Sequence, residues 1–156
     1  MNGLAPIEAW FERQGWRPLP FQRQCWQAYL GGESGLIQVP TGSGKTYAAV
    51  MGPIAELLAE AEVNNEGPGK GLGPGIRLLY LTPLRALSRD LALAIQQPIE
   101  AMGWPIRVGI RNGDTASSER TRQLRTPPHV LITTPESLAV LLSNACLLYT
   151  SPSPRD

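Results

Sequence analysis

The sequence predicts an α/β domain in which a parallel sheet carries helices on both faces. Short apolar runs alternate with longer stretches of helical spacing, and their lengths suit strand–helix–strand crossovers. A glycine-rich loop joins the first of these runs to the helix that follows it. The 156 residues suffice for one domain, and 42% hydrophobic with 17% charged residues is typical of a globular protein.

Each element rests on a local pattern. Apolar positions at helical spacing, bounded by proline and glycine, predict helices at residues 7–14, 21–30, 45–60, 84–102 and 117–124 and from just after Pro135. Short apolar runs bounded by turn residues predict strands at 36–39, 76–81, 106–110 and 129–133. Glycine and proline leave little to pack in the stretch 64–75, which is predicted to be a flexible loop.

The composition excludes several protein classes. The two cysteines, Cys25 and Cys146, are too few for a disulfide framework or a zinc site. No apolar run reaches the ~20 residues that span a membrane, and the chain does not open with a signal peptide. We therefore expect a cytoplasmic protein without a membrane partner.

The charge is nearly balanced overall but uneven along the chain. A net charge of +1 gives no global positive field that would attract nucleic acid. One stretch is nevertheless rich in arginine, either as a solvated helix face in an arginine-rich sequence or as a strip that contacts phosphate groups. The arginines of this stretch are Arg107, Arg111, Arg120, Arg122 and Arg125.

Residues 39–46 (VPTGSGKT) have the pattern of a phosphate-binding loop between a strand and a helix. In such a loop backbone N–H groups face the phosphates, and glycines allow the close approach and the positive φ angles. Lys45 would reach the β- and γ-phosphates, and the Thr46 hydroxyl would be a ligand of Mg²⁺. ATP and Mg²⁺ are thus the expected ligands, and Lys45 and Thr46 are the candidate catalytic residues. The remaining loop contacts are Thr41, Gly42, Ser43 and Gly44.

Val39 narrows the class of nucleotide-binding protein. Kinases and GTPases with a phosphate-binding loop have glycine at its first position, where this chain has valine. The loop resembles the helicase form Ala-x-Thr-Gly-x-Gly-Lys-Thr, and the chain lacks an Asn-Lys-x-Asp guanine motif. Residues 16–22 (WRPLPFQ) resemble the adenine-recognising Q motif of superfamily 2 helicases, in which a glutamine amide such as that of Gln22 can both donate to and accept from the adenine edge. The alternative is that Gln22 lies on a helix surface and that the nearby aromatic residues, Trp16, Phe21 and Trp26, belong to the core.

Three further segments resemble helicase motifs that contact nucleic acid. Residues 80–87 (YLTPLRAL) resemble motif Ia, and residues 132–138 (ITTPESL) resemble motif Ib, where a Thr-Pro step opens a helix whose free N–H groups can hold a phosphate. Between them, residues 111–115 (RNGDT) form a glycine turn after a strand. Hydroxyl and guanidinium groups suit contacts to a phosphate backbone without reading the base sequence. The candidate contacts are Thr82, Arg85, Arg111, Gly113, Asp114, Thr134 and Ser137.

From about residue 10 to 143 the chain resembles the first RecA-like domain of the ligase-associated DEXH-box helicases, relatives of the large helicase-related proteins. The resemblance implies an ATP-dependent 3′-to-5′ DNA helicase and translocase of DNA repair. It also implies single-stranded or tailed duplex DNA as a partner, with a DNA ligase and a nuclease of the same repair system. The family's Asp-Glu-x-His box would follow residues 132–138, so residues 1–145 are interpreted as a domain that is incomplete at its C-terminus and inactive in hydrolysis by itself.

Residues 146–156 (CLLYTSPSPRD) resemble the translated end of a sequencing adapter and are interpreted as a non-native tail. A genuine disordered tail is the alternative that such a composition also allows. For the domain itself, the alternatives are an RNA helicase with the same motor, a small phosphate-loop kinase, and a fragment that only binds ATP or does not fold.

Overall fold

The computed structural model describes residues 3–64 and 71–143, which form two compact units that divide after Gly71. The segment 65–70 of the predicted flexible loop and the interpreted non-native tail at 146–156 lie outside the described residues. Within the described ranges no helix is both long enough and apolar enough to cross a bilayer.

The first unit consists of the helices α1 (Ala5–Arg13), α2 (Pro20–Leu30) and α3 (Lys45–Val63), which confirm the three helices predicted in this part of the chain. Proline stands in the first turn of both α1 and α2, where its missing N–H costs no helical hydrogen bond. Aromatic rings fill the core: Trp10 and Phe11 of α1 meet edge to face, and Phe11 also contacts Trp26 of α2.

Two side-chain hydrogen bonds join α2 to α3. The indole Nε1 of Trp26 donates to the carbonyl of Tyr47 over 2.8 Å, and the hydroxyl of Tyr29 donates to the Glu56 carboxylate over 2.9 Å. Gly52 of α3 lies against the Tyr29 side chain, where an added Cβ would come within 3.1 Å of the Tyr29 Cβ and 3.2 Å of the ring. These contacts set the position of the start of α3, and with it the glycine loop that precedes the helix.

The strand predicted at 36–39 does not form, which corrects the expectation from the sequence. These residues have extended or irregular backbone without strand pairing, and Leu36 is 89% exposed. A strand exists only where its N–H and C=O groups pair with a neighbouring strand. The apolar run indicates a strand from local composition alone, whereas the pairing depends on which chain segment lies beside it.

The second unit is a parallel sheet with its connecting helices. It contains β1 (Leu78–Leu81), α4 (Arg85–Met102), β2 (Val108–Arg111), α5 (Ser117–Arg125), β3 (Val130–Thr133) and α6 (Pro135–Leu142). The strand order is β1-β3-β2, and both pairings are parallel. The central strand β3 is buried at every position, as a continuous apolar run predicts, and α4 packs against β2 and β3. The three predicted strands and three predicted helices of this unit are confirmed with end points shifted by one or two residues.

The register brings the carboxyl ends of the three strands level. Thr133 of β3 lies opposite Leu81 of β1 on one side and opposite Arg111 of β2 on the other. The Thr133 hydroxyl also donates to the carbonyl of Arg111. The loops that leave the three strands therefore start from one edge of the sheet, where open parallel sheets bind ligands.

Candidate nucleotide and nucleic-acid sites

The glycine loop in the first unit has the backbone of an anion-binding turn. Gly42 and Gly44 both have φ of 84°, in the left-handed region that side chains with a Cβ disfavour. Gly44 is the N-cap of α3, and no side chain caps the helix there. The N–H groups of its first turn remain available to an anion, and the helix dipole favours negative charge at this end.

The side chains of the loop are accessible. Thr41, Gly42 and Lys45 are exposed, while Ser43 and Thr46 are half-buried. Lys45 and Thr46 occupy the first two positions of α3, so the ammonium group and the hydroxyl both project from the start of the helix. This arrangement can hold a chain of phosphate groups between the helix end and the lysine.

Gln22 connects α2 to this loop. The side chain is only 4% exposed, so the alternative of a helix-surface residue is wrong. Its Oε1 accepts from the Leu19 N–H over 2.8 Å, and its Nε2 donates to the carbonyl of Gly44 over 3.0 Å. An amide has two N–H groups and two acceptor lone pairs, so these two bonds leave one N–H and one lone pair of Gln22 unused.

The aromatic residues near Gln22 divide between core and surface. Trp26 is fully buried and belongs to the core, as the alternative interpretation held. Trp16 is half-exposed and rests edge to face on Trp10, and Phe21 is half-buried. Contact of Trp16 or Phe21 with adenine stays a prediction.

Thr46 supplies the loop's hydroxyl for a metal ion. In the part of the chain that the structure describes, no group of three or more His, Cys, Asp or Glu side chains could hold a metal. Mg²⁺ is commonly bound through one or two protein oxygens together with substrate phosphates and water. A single hydroxyl beside a phosphate-binding loop fits an ion that arrives with the phosphates of ATP.

A second candidate site lies at the carboxyl edge of the sheet in the second unit. An open groove of about 560 Å³ is found where the loops after β1, β2 and β3 meet. We call it the arginine groove, because three arginines line it together with the start of α6. Five of the seven sequence-predicted nucleic-acid contacts line this groove: Arg85, Arg111, Gly113, Thr134 and Ser137.

The two remaining predicted contacts lie beside the groove. Thr82 is buried directly after β1, and its N–H donates to the carbonyl of Thr133 over 3.0 Å. Its hydroxyl accepts from the Leu84 N–H over 3.5 Å, so it orders the turn into α4. Asp114 lies in the turn after β2 and forms an ion pair with Arg85. The structure thus brings all seven residues to one edge of the sheet.

Arg111 is the most unusual residue of the arginine groove. It is only 8% exposed, and its Nη1 is buried without a hydrogen-bond partner among the described residues. Burial, and then the neighbouring charge of Arg120, lower the pKa of Arg111 below the usual arginine value. A buried donor without a partner is costly, and an anion in the groove would compensate both the missing bond and the charge repulsion.

Arg120 was not among the predicted contacts, although it lines the same groove. It reaches back from α5, where its Nη2 donates to the carbonyl of Asn112 over 2.8 Å while its Nε is buried without a partner within the described ranges. The arginine-rich stretch contained the signal, but the spacing could not separate Arg120 from Arg122, which forms a surface ion pair with Glu119 at 2.8 Å. The interpretation as a solvated helix face therefore fits Arg122, whereas contact of Arg120 with phosphate stays a prediction.

The turn after β2 is ordered by its own polar groups. The Asn112 side-chain oxygen accepts from the Asp114 N–H over 2.8 Å, and the Thr115 hydroxyl accepts from the Asn112 N–H over 2.9 Å. At Gly113 an added Cβ would lie 2.7 Å from Nη1 of Arg85. Glycine at this position therefore leaves the space that the Arg85 guanidinium occupies.

Thr134 caps helix α6. Its hydroxyl oxygen accepts from the Ser137 N–H over 3.3 Å, which satisfies one of the N–H groups that have no partner within the helix. Pro135 follows at the first helical position. The other N–H groups of the first turn face the start of the helix, where they favour an anion.

The chain belongs to the DEAD/DEAH box helicase family, since the family model matches residues 19–150. Membership in a family of ATP-dependent helicases confirms the predicted class and removes the phosphate-loop kinase alternative. The glycine loop and the motif-like loops at the sheet edge lie inside the matched range.

Within that family the chain is similar to Lhr-type helicases. It is 38% identical over 149 residues to the ATP-dependent helicase Lhr-Core of Methanocaldococcus jannaschii, covering 89% of this chain and 17% of that protein. It is 36% identical over 145 residues to the Lhr helicase/uracil glycosylase of Escherichia coli, covering 86% of this chain and 9% of that protein. The chain therefore spans less than a fifth of the length of these relatives.

A solved structure of a related helicase confirms the RecA-like fold. The structure of Mycobacterium smegmatis helicase Lhr bound to ssDNA and AMP-PNP matches with a TM-score of 0.73 and 35% sequence identity. The match covers 94% of this chain and 19% of that chain.

Proposed function

We propose that this chain is the first RecA-like half of an ATP-dependent DNA helicase and translocase. In this proposal ATP binds at the glycine loop, with Gln22 at the adenine, and the arginine groove holds the phosphate backbone of single-stranded or tailed duplex DNA. Opening and closing of a cleft against a second RecA-like domain of a longer protein would move the DNA strand. The 3′-to-5′ direction, the role in DNA repair and the ligase and nuclease partners rest on the family resemblance, and the cytoplasmic location rests on the composition of the sequence.

The observation that carries the proposal is the buried Nη1 of Arg111, which has no hydrogen-bond partner in the described part of the chain and belongs to the groove that Arg120 and the start of α6 also line. Positive charge that is buried without a carboxylate suits an anionic ligand better than it suits stability. The groove offers guanidinium groups, helix N–H groups and hydroxyls, which bind phosphate oxygens without reading bases. A polynucleotide backbone is the ligand that supplies several phosphates along one open groove.

The nucleotide site works through this chain's own groups. The N–H groups at the start of α3 and the ammonium of Lys45 would hold and orient the phosphates, and Gln22 would couple occupancy of the adenine site to the loop through its bond to Gly44. Mg²⁺, when bound, would be held by Thr46 and the phosphates and would neutralise their charge. Hydrolysis further needs the carboxylates that the family resemblance assigns to a DEXH box.

Lys45→Ala should weaken ATP binding at least about tenfold, because the ammonium is the cation of the loop that faces the β- and γ-phosphates. Fluorescence anisotropy with a labelled, non-hydrolysable ATP analogue measures this change. Lys70→Ala, which alters the only other lysine of the chain, is the matched control and should leave the affinity unchanged. Equal affinities of the wild type and Lys45→Ala would show that the loop is not the nucleotide site.

An RNA helicase with the same motor is the second candidate. The arginine groove supports binding of RNA as much as binding of DNA, because contacts to phosphate do not distinguish deoxyribose from ribose. Binding of single-stranded DNA and RNA of the same sequence separates the two, in parallel with their stimulation of ATP turnover by the longer protein. Preference for DNA in both measurements supports the proposal, and preference for RNA replaces it with the second candidate.

A further inference from the structure

An exposed ion pair joins Arg85, which lines the arginine groove, to Asp114, which lies beside it. Nη1 of Arg85, the first residue of α4, lies 3.2 Å from the carboxylate of Asp114 in the turn after β2. The strands that precede these residues, β1 and β2, flank β3. The pair therefore spans the carboxyl end of the central strand, next to the start of α6 and the buried guanidinium of Arg111.

The Asp114 carboxylate contributes little to the fold. The side chains of Arg85 and Asp114 are 58% and 77% exposed, and ion pairs with that much solvent add little to stability. The turn is held instead by Asn112, whose side-chain oxygen accepts from the backbone N–H of Asp114, and by Thr115, whose hydroxyl accepts from the backbone N–H of Asn112. Neither bond uses the Asp114 carboxylate. An acidic side chain beside a groove for phosphate also weakens the attraction for a polyanion.

We propose that Asp114 is an internal competitor for phosphate at Arg85 and thereby sets the affinity and salt dependence of nucleic-acid binding. The inference rests on the proposed function of the arginine groove. In the free protein the carboxylate neutralises Arg85, and a backbone phosphate must displace it to form the same contact. Arg111 has no carboxylate partner among the described residues, so this exchange is confined to Arg85.

The competition discriminates between anions. An isolated phosphate that binds at Arg85 replaces the Asp114 carboxylate. It gains only the difference in interaction free energy between these two anions and the guanidinium. A polynucleotide reaches Arg111, Arg120 and the start of α6 with its neighbouring phosphates at the same time, so it retains most of its binding free energy. Asp114 therefore selects for a continuous backbone over single phosphates and small anions.

The counterion balance gives the exchange a measurable signature. When DNA binds to wild-type protein, the phosphate releases a cation but the displaced carboxylate takes one up, so the Arg85 contact adds little to the salt dependence. In Asp114→Asn no carboxylate is displaced, so the contact of a phosphate with Arg85 adds one more released cation to the salt dependence. The slope of log K against log salt should become steeper by about 0.7, and binding at low salt should become about two- to fivefold tighter.

The experiment measures binding of a short fluorescein-labelled single-stranded DNA to the full 156-residue chain over a range of KCl concentrations. Asp114→Asn is compared in the wild-type and in the Arg85→Ala background. The expected tightening and steeper slope occur only where Arg85 is present. Glu136→Gln is the matched control, because Glu136 lines the same groove without an ion pair in the described part of the chain. Its effect should be the same in both backgrounds.

The outcomes separate the two proposals. If Arg85→Ala weakens DNA binding but Asp114→Asn does not tighten it, the competitor role is wrong and the groove remains a DNA site. Tightening that persists without Arg85 would reduce Asp114 to a general field effect, and weaker binding by Asp114→Asn would make it a residue that positions Arg85. If neither Arg85→Ala nor Arg111→Met changes DNA binding, the groove is not the nucleic-acid site and both proposals fall.

Discussion

At the scale of single residues, Arg111 shows where binding and stability oppose each other. Its guanidinium is buried beside Arg120, its pKa is lowered by that burial and charge, and its Nη1 has no partner in the described ranges. Such an arrangement destabilises the folded chain unless a ligand compensates it. This loss of stability arises locally, in the groove where the ligand is proposed to bind.

Arg111→Met should therefore separate the two effects. Methionine keeps the length and apolar stem of the side chain but removes the buried charge, so the free energy of unfolding should stay unchanged or rise by about 1 kcal/mol. Affinity for single-stranded DNA should fall about tenfold, as expected for loss of a charge-assisted contact. Urea unfolding and DNA anisotropy on the same samples measure both quantities.

Arg107→Met is the matched control for this substitution, since Arg107 precedes β2 and its Nη2 donates to the carbonyl of Pro127 instead of lining the arginine groove. It should leave DNA binding nearly unchanged. A marked loss of stability in Arg111→Met would show that the guanidinium is structural.

At the scale of elements, α2 and α3 form the pair that positions the nucleotide loop. Gln22 bonds to Gly44 at the loop, and Tyr29 bonds to Glu56 about three turns further along α3. Burial, followed by the hydrogen bond and negative charge of Glu56, raises the pKa of Tyr29 from 10.0 to about 12. The helix pair therefore holds the protonated phenol more tightly than the unfolded chain does.

This shift predicts a loss of stability at high pH. Below pH 10 the phenol is protonated in both states, and its bond to Glu56 contributes in full. Between pH 10 and about 12 only the unfolded state releases the proton, so the free energy of unfolding should fall as pH rises through this window. Urea unfolding followed by tryptophan fluorescence measures the decline, which should be smaller in Tyr29→Phe. An equal decline in the wild type and in Tyr29→Phe would contradict the assignment to Tyr29.

At the scale of the whole molecule, the proposed ATP site and the proposed phosphate groove do not by themselves supply the carboxylates that hydrolysis needs. Within residues 3–64 and 71–143 no group of three or more acidic, histidine or cysteine side chains could hold a metal. Attack of water on the γ-phosphate requires a group that orients the water, together with a held metal ion. We therefore expect binding of ATP and its turnover to be separable in this chain.

The 156-residue chain should bind ATP without measurable turnover, with or without single-stranded DNA. Phosphate release measured beside ATP-analogue binding tests this. A longer protein that carries the DEXH segment is the positive control, and Lys45→Ala in that protein should abolish its activity. DNA-stimulated phosphate release by the short chain, removed by Lys45→Ala, would overturn the prediction.

Local patterns in the sequence were sufficient to predict most of the helices and strands. Helical spacing with proline and glycine boundaries located every helix that the structure describes, and continuous apolar runs located β1, β2 and β3, because these signals depend on residues within a few positions of one another. The strand predicted from the apolar run at 36–39 was wrong, since strand formation requires a paired neighbouring strand that composition does not specify.

The sequence by itself determined the helicase class and most candidate residues, because its motifs combine particular residue types at short, fixed spacing. Only the tertiary structure decided how those residues act together. The level ends of the three strands bring Arg85, Arg111 and Thr134 to one groove, and they pair Arg85 with Asp114 across β3. Arg120 joins them from α5, which no spacing indicated. Charge, burial and competition between side chains depend on distances in space, and these are set by strand order and register.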